Sequence, residues 1–139
     1  MGFANKFKKI MEEKYNESTT NRPEGERPVD APVVHIDIPS FVKRIKKEKA
    51  WRKNDRNAIT VFKSDKIRIV LVVMRKKAEL TTERPENIFS LQVLDGKVKL
   101  YTSEKKVDVS INEMFVLHAN IPYKIEALKK SIFLLTVAE

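Results

Sequence analysis

The residues able to do chemistry in this chain are few and scattered. It has two histidines, His35 and His118, and no cysteine. A tight zinc, iron or manganese site needs about three or four well-placed nitrogen, oxygen or sulfur donors. With no thiolate and two widely separated imidazoles, such a site is not expected. A thiol nucleophile and a disulfide framework are excluded outright. Three glycines, Gly2, Gly25 and Gly96, cannot form a glycine-rich phosphate loop. No nucleophile-elbow pattern is present. What remains is a run of carboxylates, Glu79, Glu83 and Glu86, and the phenol of Tyr123. Glutamates on a loop face water. One of them brought up to a phenol would instead orient a polar small molecule or, if buried, act as a base.

Charge offers a second chemistry. The formal net charge is +9, but it is unevenly spread. Residues 40–56 carry eight basic and two acidic side chains, a net +6, whereas residues 1–32 carry six of each. Lys43, Arg44, Lys46, Lys47, Lys49, Arg52 and Lys53 make a basic cluster that could meet an anionic polymer. No aromatic-interleaved RNA motif or helix-turn-helix pattern accompanies it. It is read first as the solvated face of a helix, and nucleic acid is not an expected partner.

The elements that must position these groups are mostly strands. Lys97-Val98-Lys99-Leu100-Tyr101, Val107-Asp108-Val109-Ser110-Ile111 and Tyr123-Lys124-Ile125-Glu126-Ala127 alternate polar and apolar residues, so one set faces a core and the other faces water. Further strands are expected over 57–64, 67–75, 87–94, 114–118 and 131–138. The run Ile67 to Met74 is nearly all apolar, which implies cover on both faces. Asp95-Gly96 reads as a hairpin turn. Upstream, a strand over 33–38 is stopped by Pro39. Ser40 then caps a basic helix over 40–53, with Phe41, Val42 and Ile45 on its buried side and Trp51 anchoring its end. Phe3, Phe7, Ile10 and Met11 make an apolar stripe on a helix over 3–15. The polar, proline-punctuated stretch that follows, up to residue 32, reads as a flexible linker. The division expected is therefore 1–32, helix and linker, and 33–139, a mainly β domain. With 42% hydrophobic and 34% charged residues, no apolar run of roughly 18 to 20 residues and no signal-peptide core, a cytoplasmic protein without a membrane partner is expected.

Two segments carry a family resemblance. Val93-Leu94-Asp95-Gly96-Lys97-Val98 resembles the end of the first cupin motif. Asn112-Glu113-Met114-Phe115-Val116-Leu117-His118-Ala119-Asn120-Ile121-Pro122-Tyr123 resembles the second, with Asn112-Glu113 in place of the usual Gly-Asp and Pro122-Tyr123 in place of Pro-His. The resemblance covers roughly residues 58–138. It implies a double-stranded β-helical, or jelly-roll, barrel. In many cupins two histidines and a glutamate of the first motif and a histidine of the second hold a divalent metal. Carried onto this chain, the glutamate position falls on Phe89 and the second-motif histidine on Tyr123. A histidine expected near position 83 is Glu83.

The reading that follows is a metal-free cupin-like barrel without cofactor, a small-molecule-binding or structural module that forms a homodimer. Its candidate pocket residues are Glu83, Phe89, Leu91, Tyr123, His118 and Met74, with Glu83 and Tyr123 facing each other across the barrel mouth. Catalytic residues are not assigned. The alternatives are a cupin enzyme of isomerase or dioxygenase type using Glu83, Tyr123 and His118, and an anionic-polymer binder working through residues 43–53.

Overall fold

The alternating runs assemble into two antiparallel sheets that face each other. The structure, a computed structural model, describes residues 14–15, 28–82 and 86–139. A short ribbon, β1 (Lys14–Tyr15) with β2 (Pro28–Asp30), precedes helices α1 (Ile38–Lys47) and α2 (Lys49–Lys53). Then come β3 (Arg56–Lys63), β4 (Ile67–Met74), β5 (Glu79–Thr82), β6 (Phe89–Asp95), β7 (Lys97–Tyr101), β8 (Lys106–Ser110), β9 (Met114–Leu117), β10 (Tyr123–Ala127) and β11 (Ser131–Ala138). One sheet runs β3-β4-β11-β6-β9 and the other β5-β10-β7-β8.

Period-two alternation explains the core. Val72, Met74, Phe89, Leu91, Val93, Val98, Leu100, Val109, Leu117, Ile125, Ala127 and Phe133 come from the facing sides of both sheets and form one buried cluster. The neighbouring residues of β3, β4 and β11 point outward and make a second cluster. There Ile59, Val61, Leu71, Val73 and Ile132 pack under Ile45 and Trp51 of the helices. The apolar run of β4 is thus covered on both faces, inside by the barrel core and outside by α1 and α2. Arg75 fastens the end of α2. Its guanidinium lies 3.9 Å from the centre of the Trp51 ring and donates to the carbonyls of Trp51 (2.9 Å) and Asn54 (3.2 Å).

Four expectations change. The alternation over 33–38 holds, since Val34, Ile36 and Ile38 are half-buried and His35 and Asp37 exposed, but among the described residues no strand pairs with it. The strand nearby is β2, whose Val29 is buried. The helix starts at Ile38, not Ser40, because Asp37 is the cap. Its carboxylate accepts from the Ser40 hydroxyl (2.8 Å) and the Ser40 N–H (3.3 Å), and these bonds hold it below the usual carboxylate range. Pro39 sits in the first turn, where a missing N–H costs nothing. Glu48 breaks the helix in two. Third, Asp95-Gly96 is not a hairpin: β6 and β7 lie in different sheets, and Gly96 (φ +84°) is the corner between them. Fourth, Glu79 stands on a strand, β5, rather than a loop. It is exposed and reaches Lys124 (3.7 Å).

The apolar stripe over residues 3–11 lies outside the described residues, while Lys14 and Tyr15, expected at the helix end, are strand. No helix among the described residues is long and apolar enough to cross a membrane. α1 and α2 cover the outer face of β4, and at the outer edge of the larger sheet Met114 and Val116 of β9 are 55% and 59% exposed.

Candidate functional site

The inward residues are fully buried towards one end of the barrel and half-buried towards the other, and the difference can be followed along single strands. On β11, Phe133 is buried, whereas Leu135 and Val137 on the same face are half-buried. On β4, Met74 and Val72 are buried and Val70 is half-buried. On β10, Ala127 and Ile125 are buried and Tyr123 is half-buried. On β5, Leu80 and Thr82 are both half-buried. Antiparallel register puts these ends together: Tyr123 is opposite Thr82, Ile125 opposite Leu80, and Leu135 opposite Val70. Directly opposed residues share a face, so Thr82 and Tyr123 look inward side by side. The β6–β9 side of the opening is walled by aromatics. Phe89 lies 5.1 Å from Tyr123 and 5.8 Å, edge-on, from Phe115 between ring centres.

The lining is therefore apolar, with two hydroxyls at its rim. Val70, Leu80, Leu135 and Val137 supply half-exposed hydrocarbon, and Thr82 and Tyr123 supply the polar groups.

The predicted site residues separate into three groups. Phe89, Leu91 and Met74 are buried in the inner cluster, with Tyr123 packed against it. His118 stands just past the end of β9 and is exposed. His35 is exposed as well. Glu83 lies outside the described residues. What the sequence reading did not name is the half-exposed set on β4, β5 and β11. The signal was there: Val70, Leu135 and Val137 share parity with the buried Met74 and Phe133.

The resemblance implies a divalent metal, so the donor set matters. The described inward positions of β5, β6 and β10 hold Leu80, Thr82, Phe89, Leu91, Val93, Tyr123, Ile125 and Ala127. Among the described residues, no group of three or more histidine, aspartate or glutamate side chains stands together as a metal site would require. A phenol and a threonine hydroxyl are too few and too weak to replace two imidazoles and a carboxylate. These residues do not fit the metal.

No protein-family model matches the chain, and no curated protein matches it. Solved structures do. KdgF from Halomonas sp. superposes with a TM-score of 0.57 at 15% identity, over 60% of this chain and 80% of that one. A cupin-2 domain protein from Shewanella frigidimarina gives 0.61 at 10% identity, over 75% and 94%. A salicylate 1,2-dioxygenase from Pseudaminobacter salicylatoxidans gives 0.54 at 16%, over 60% of this chain and 26% of that one. This protein is a cupin-fold barrel. Those similarities extend to the fold; the lining of the barrel is the chain's own.

Proposed function

We propose that this chain is a metal-free cupin-fold module that holds a small, mainly apolar molecule in the mouth of its barrel. One observation carries the reading. The inward residues that stay half-exposed at the open end, Val70, Leu80, Leu135 and Val137, are hydrocarbon. Leaving them exposed forgoes burial at about 25 cal/mol per Å², and a bound apolar molecule recovers it. Tyr123 and Thr82 fix the polar end of that molecule.

The catalytic alternative has no comparable support. It needs Glu83, Tyr123 and His118 in one place, and His118, just past the end of β9, is exposed.

The test uses a neutral apolar probe, N-phenyl-1-naphthylamine, titrated into the full chain while its fluorescence is followed. A neutral probe avoids capture by surface lysines. Saturable binding in the micromolar range is expected, weakened roughly tenfold by Leu135→Trp, which fills the mouth and removes about 1.4 kcal/mol. Val137→Leu, a smaller intrusion, should weaken it less and guards against misfolding of the tryptophan variant. Absence of saturable binding, or equal affinity in a folded Leu135→Trp protein, would overturn the proposal.

A further inference from the structure

The β9 edge of the larger sheet is built differently from the rest of the surface. Among the described residues five large apolar side chains are exposed, and four of them, Ile88, Ile111, Met114 and Val116, lie on β9 or beside it. Met114 and Val116 stand on the outward face of β9, since Phe115 and Leu117 face the core. Ile88 immediately precedes Phe89, the residue opposite Leu117, and Ile111 opens the turn between β8 and β9. Positive charge is missing here as well. Residues 107–123 contain Asp108 and Glu113 and no lysine or arginine, the longest such stretch in a chain that has 28 of them.

The other strand edges are guarded. β2 packs against β3, β5 carries the exposed Glu79 with its partner Lys124, and β8 carries Lys106 and Asp108, both exposed. β9 has no charged side chain, and among the described residues no strand pairs with its outer edge. An uncharged apolar edge is a template for another strand. The register shows which backbone groups it offers. The Val93 N–H donates to the Glu113 carbonyl (3.0 Å), and the pairing continues with Leu91 opposite Phe115 and Phe89 opposite Leu117. Bonded and non-bonded pairs alternate along an antiparallel ladder. Phe115 and Leu117 therefore turn their N–H and C=O groups to β6, and Met114 and Val116 turn theirs to the free edge. The residues with exposed apolar side chains are also those that present backbone donors and acceptors.

We propose that β9 pairs with β9 of a second copy of this chain, antiparallel about a two-fold axis at Phe115. Such a contact is self-complementary. Met114 lies opposite the partner's Val116, and the two exchange both of their N–H···O=C bonds. Their side chains form one apolar stripe across the axis. On the inward face Phe115, half-buried and edge-on to Phe89, meets its counterpart. Charge selects a second copy as the occupant. Each copy carries a net +9, so two copies repel over most of their surface, and at β9 they approach without bringing lysines together. An acidic partner would be drawn to the lysine-rich faces instead. The strand is short, so the interface falls at the small end, below about 1,200 Å² in total, and the dimer is weak.

Sedimentation equilibrium of the full chain from micromolar to millimolar concentration tests this. A monomer–dimer equilibrium with a Kd of about 10 to 100 µM is expected. Met114→Lys and Val116→Lys should each weaken it about tenfold or more. Both positions are exposed, so the fold tolerates the change. Val33→Lys, at the exposed apolar residue that lies just beyond β2, should leave the equilibrium unchanged. Amide hydrogen exchange locates the contact. The amides of Met114 and Val116 should be protected at high concentration and lose protection on dilution, while those of Phe115 and Leu117 stay protected throughout. Three results would overturn the proposal. One is a monomer across the whole range, and another is a dimer that neither β9 lysine variant weakens. The third is protection of Met114 and Val116 that does not change with concentration, which would mean that another part of the same chain covers the edge.

Discussion

Gly96→Ala is expected to lower the melting temperature by roughly 10 to 15 °C, corresponding to about 3 to 4 kcal/mol in a domain of this size. Two effects add. The backbone at Gly96 has φ +84°, where an L side chain costs about 1 to 2 kcal/mol. A Cβ there would also stand 2.3 Å from the Lys130 carbonyl oxygen, 2.5 Å from the Ser131 hydroxyl and 2.8 Å from the Ser131 Cα. Two of those atoms are backbone and cannot swing aside. The corner between the two sheets would have to open, and with it the hydrogen bonds of Ser131. Asn112 and Asn120 separate the two effects. They adopt φ of 67° and 66° with side chains present, so positive φ alone is tolerated in this barrel. Thermal unfolding followed by circular dichroism measures the outcome. A loss of less than about 2 °C, under 1 kcal/mol, would show that the corner is not tight.

Phe133→Ala should cost about as much, roughly 3 to 5 kcal/mol. Phe133 is fully buried on the strand shared by β4 and β6, opposite Val72 on one side and Val93 on the other. Its ring fills the closed half of the interior, and neighbours held in a hydrogen-bonded sheet have little freedom to collapse into the space. The functional effect should run the other way. An apolar void stays dry and accepts hydrocarbon. The deepened cup should therefore bind the neutral probe more tightly in whatever fraction stays folded. Denaturant unfolding reads the first effect and fluorescence titration the second. Unchanged stability would mean that the ring is not a core element.

These two residues also show what the sequence could and could not disclose. Phe133 was legible in part. Its strand over 131–138 could be written down from the sequence, but Ile132, Phe133, Leu134 and Leu135 are all apolar, so the face that turns inward could not. Gly96 was legible as a turn but not as the kind of turn. Asp95-Gly96 satisfies a hairpin, and only the pairing of β6 with β9 and β11, and of β7 with β8 and β10, makes it a corner. Local signals fix dihedral preferences; they do not say which sheet a strand joins.

Asp37 makes the same point at the helix start. Asp37 and Ser40 are both good capping residues, and Pro39 between them looked like a stop. It fits the first turn, so the cap falls on Asp37. The site was the least legible part. His118 has the right residue type and a tempting place in the second motif, yet it stands past the end of β9 and is exposed to solvent.

The metal content of the full chain, expressed without a histidine tag and quantified by plasma mass spectrometry, tests the central claim most directly. An interior whose described inward positions offer a phenol, a threonine hydroxyl and hydrocarbon should hold less than about a tenth of an equivalent of iron, manganese, nickel or zinc. Close to one equivalent of any of them, lost on Tyr123→Phe, would contradict the account.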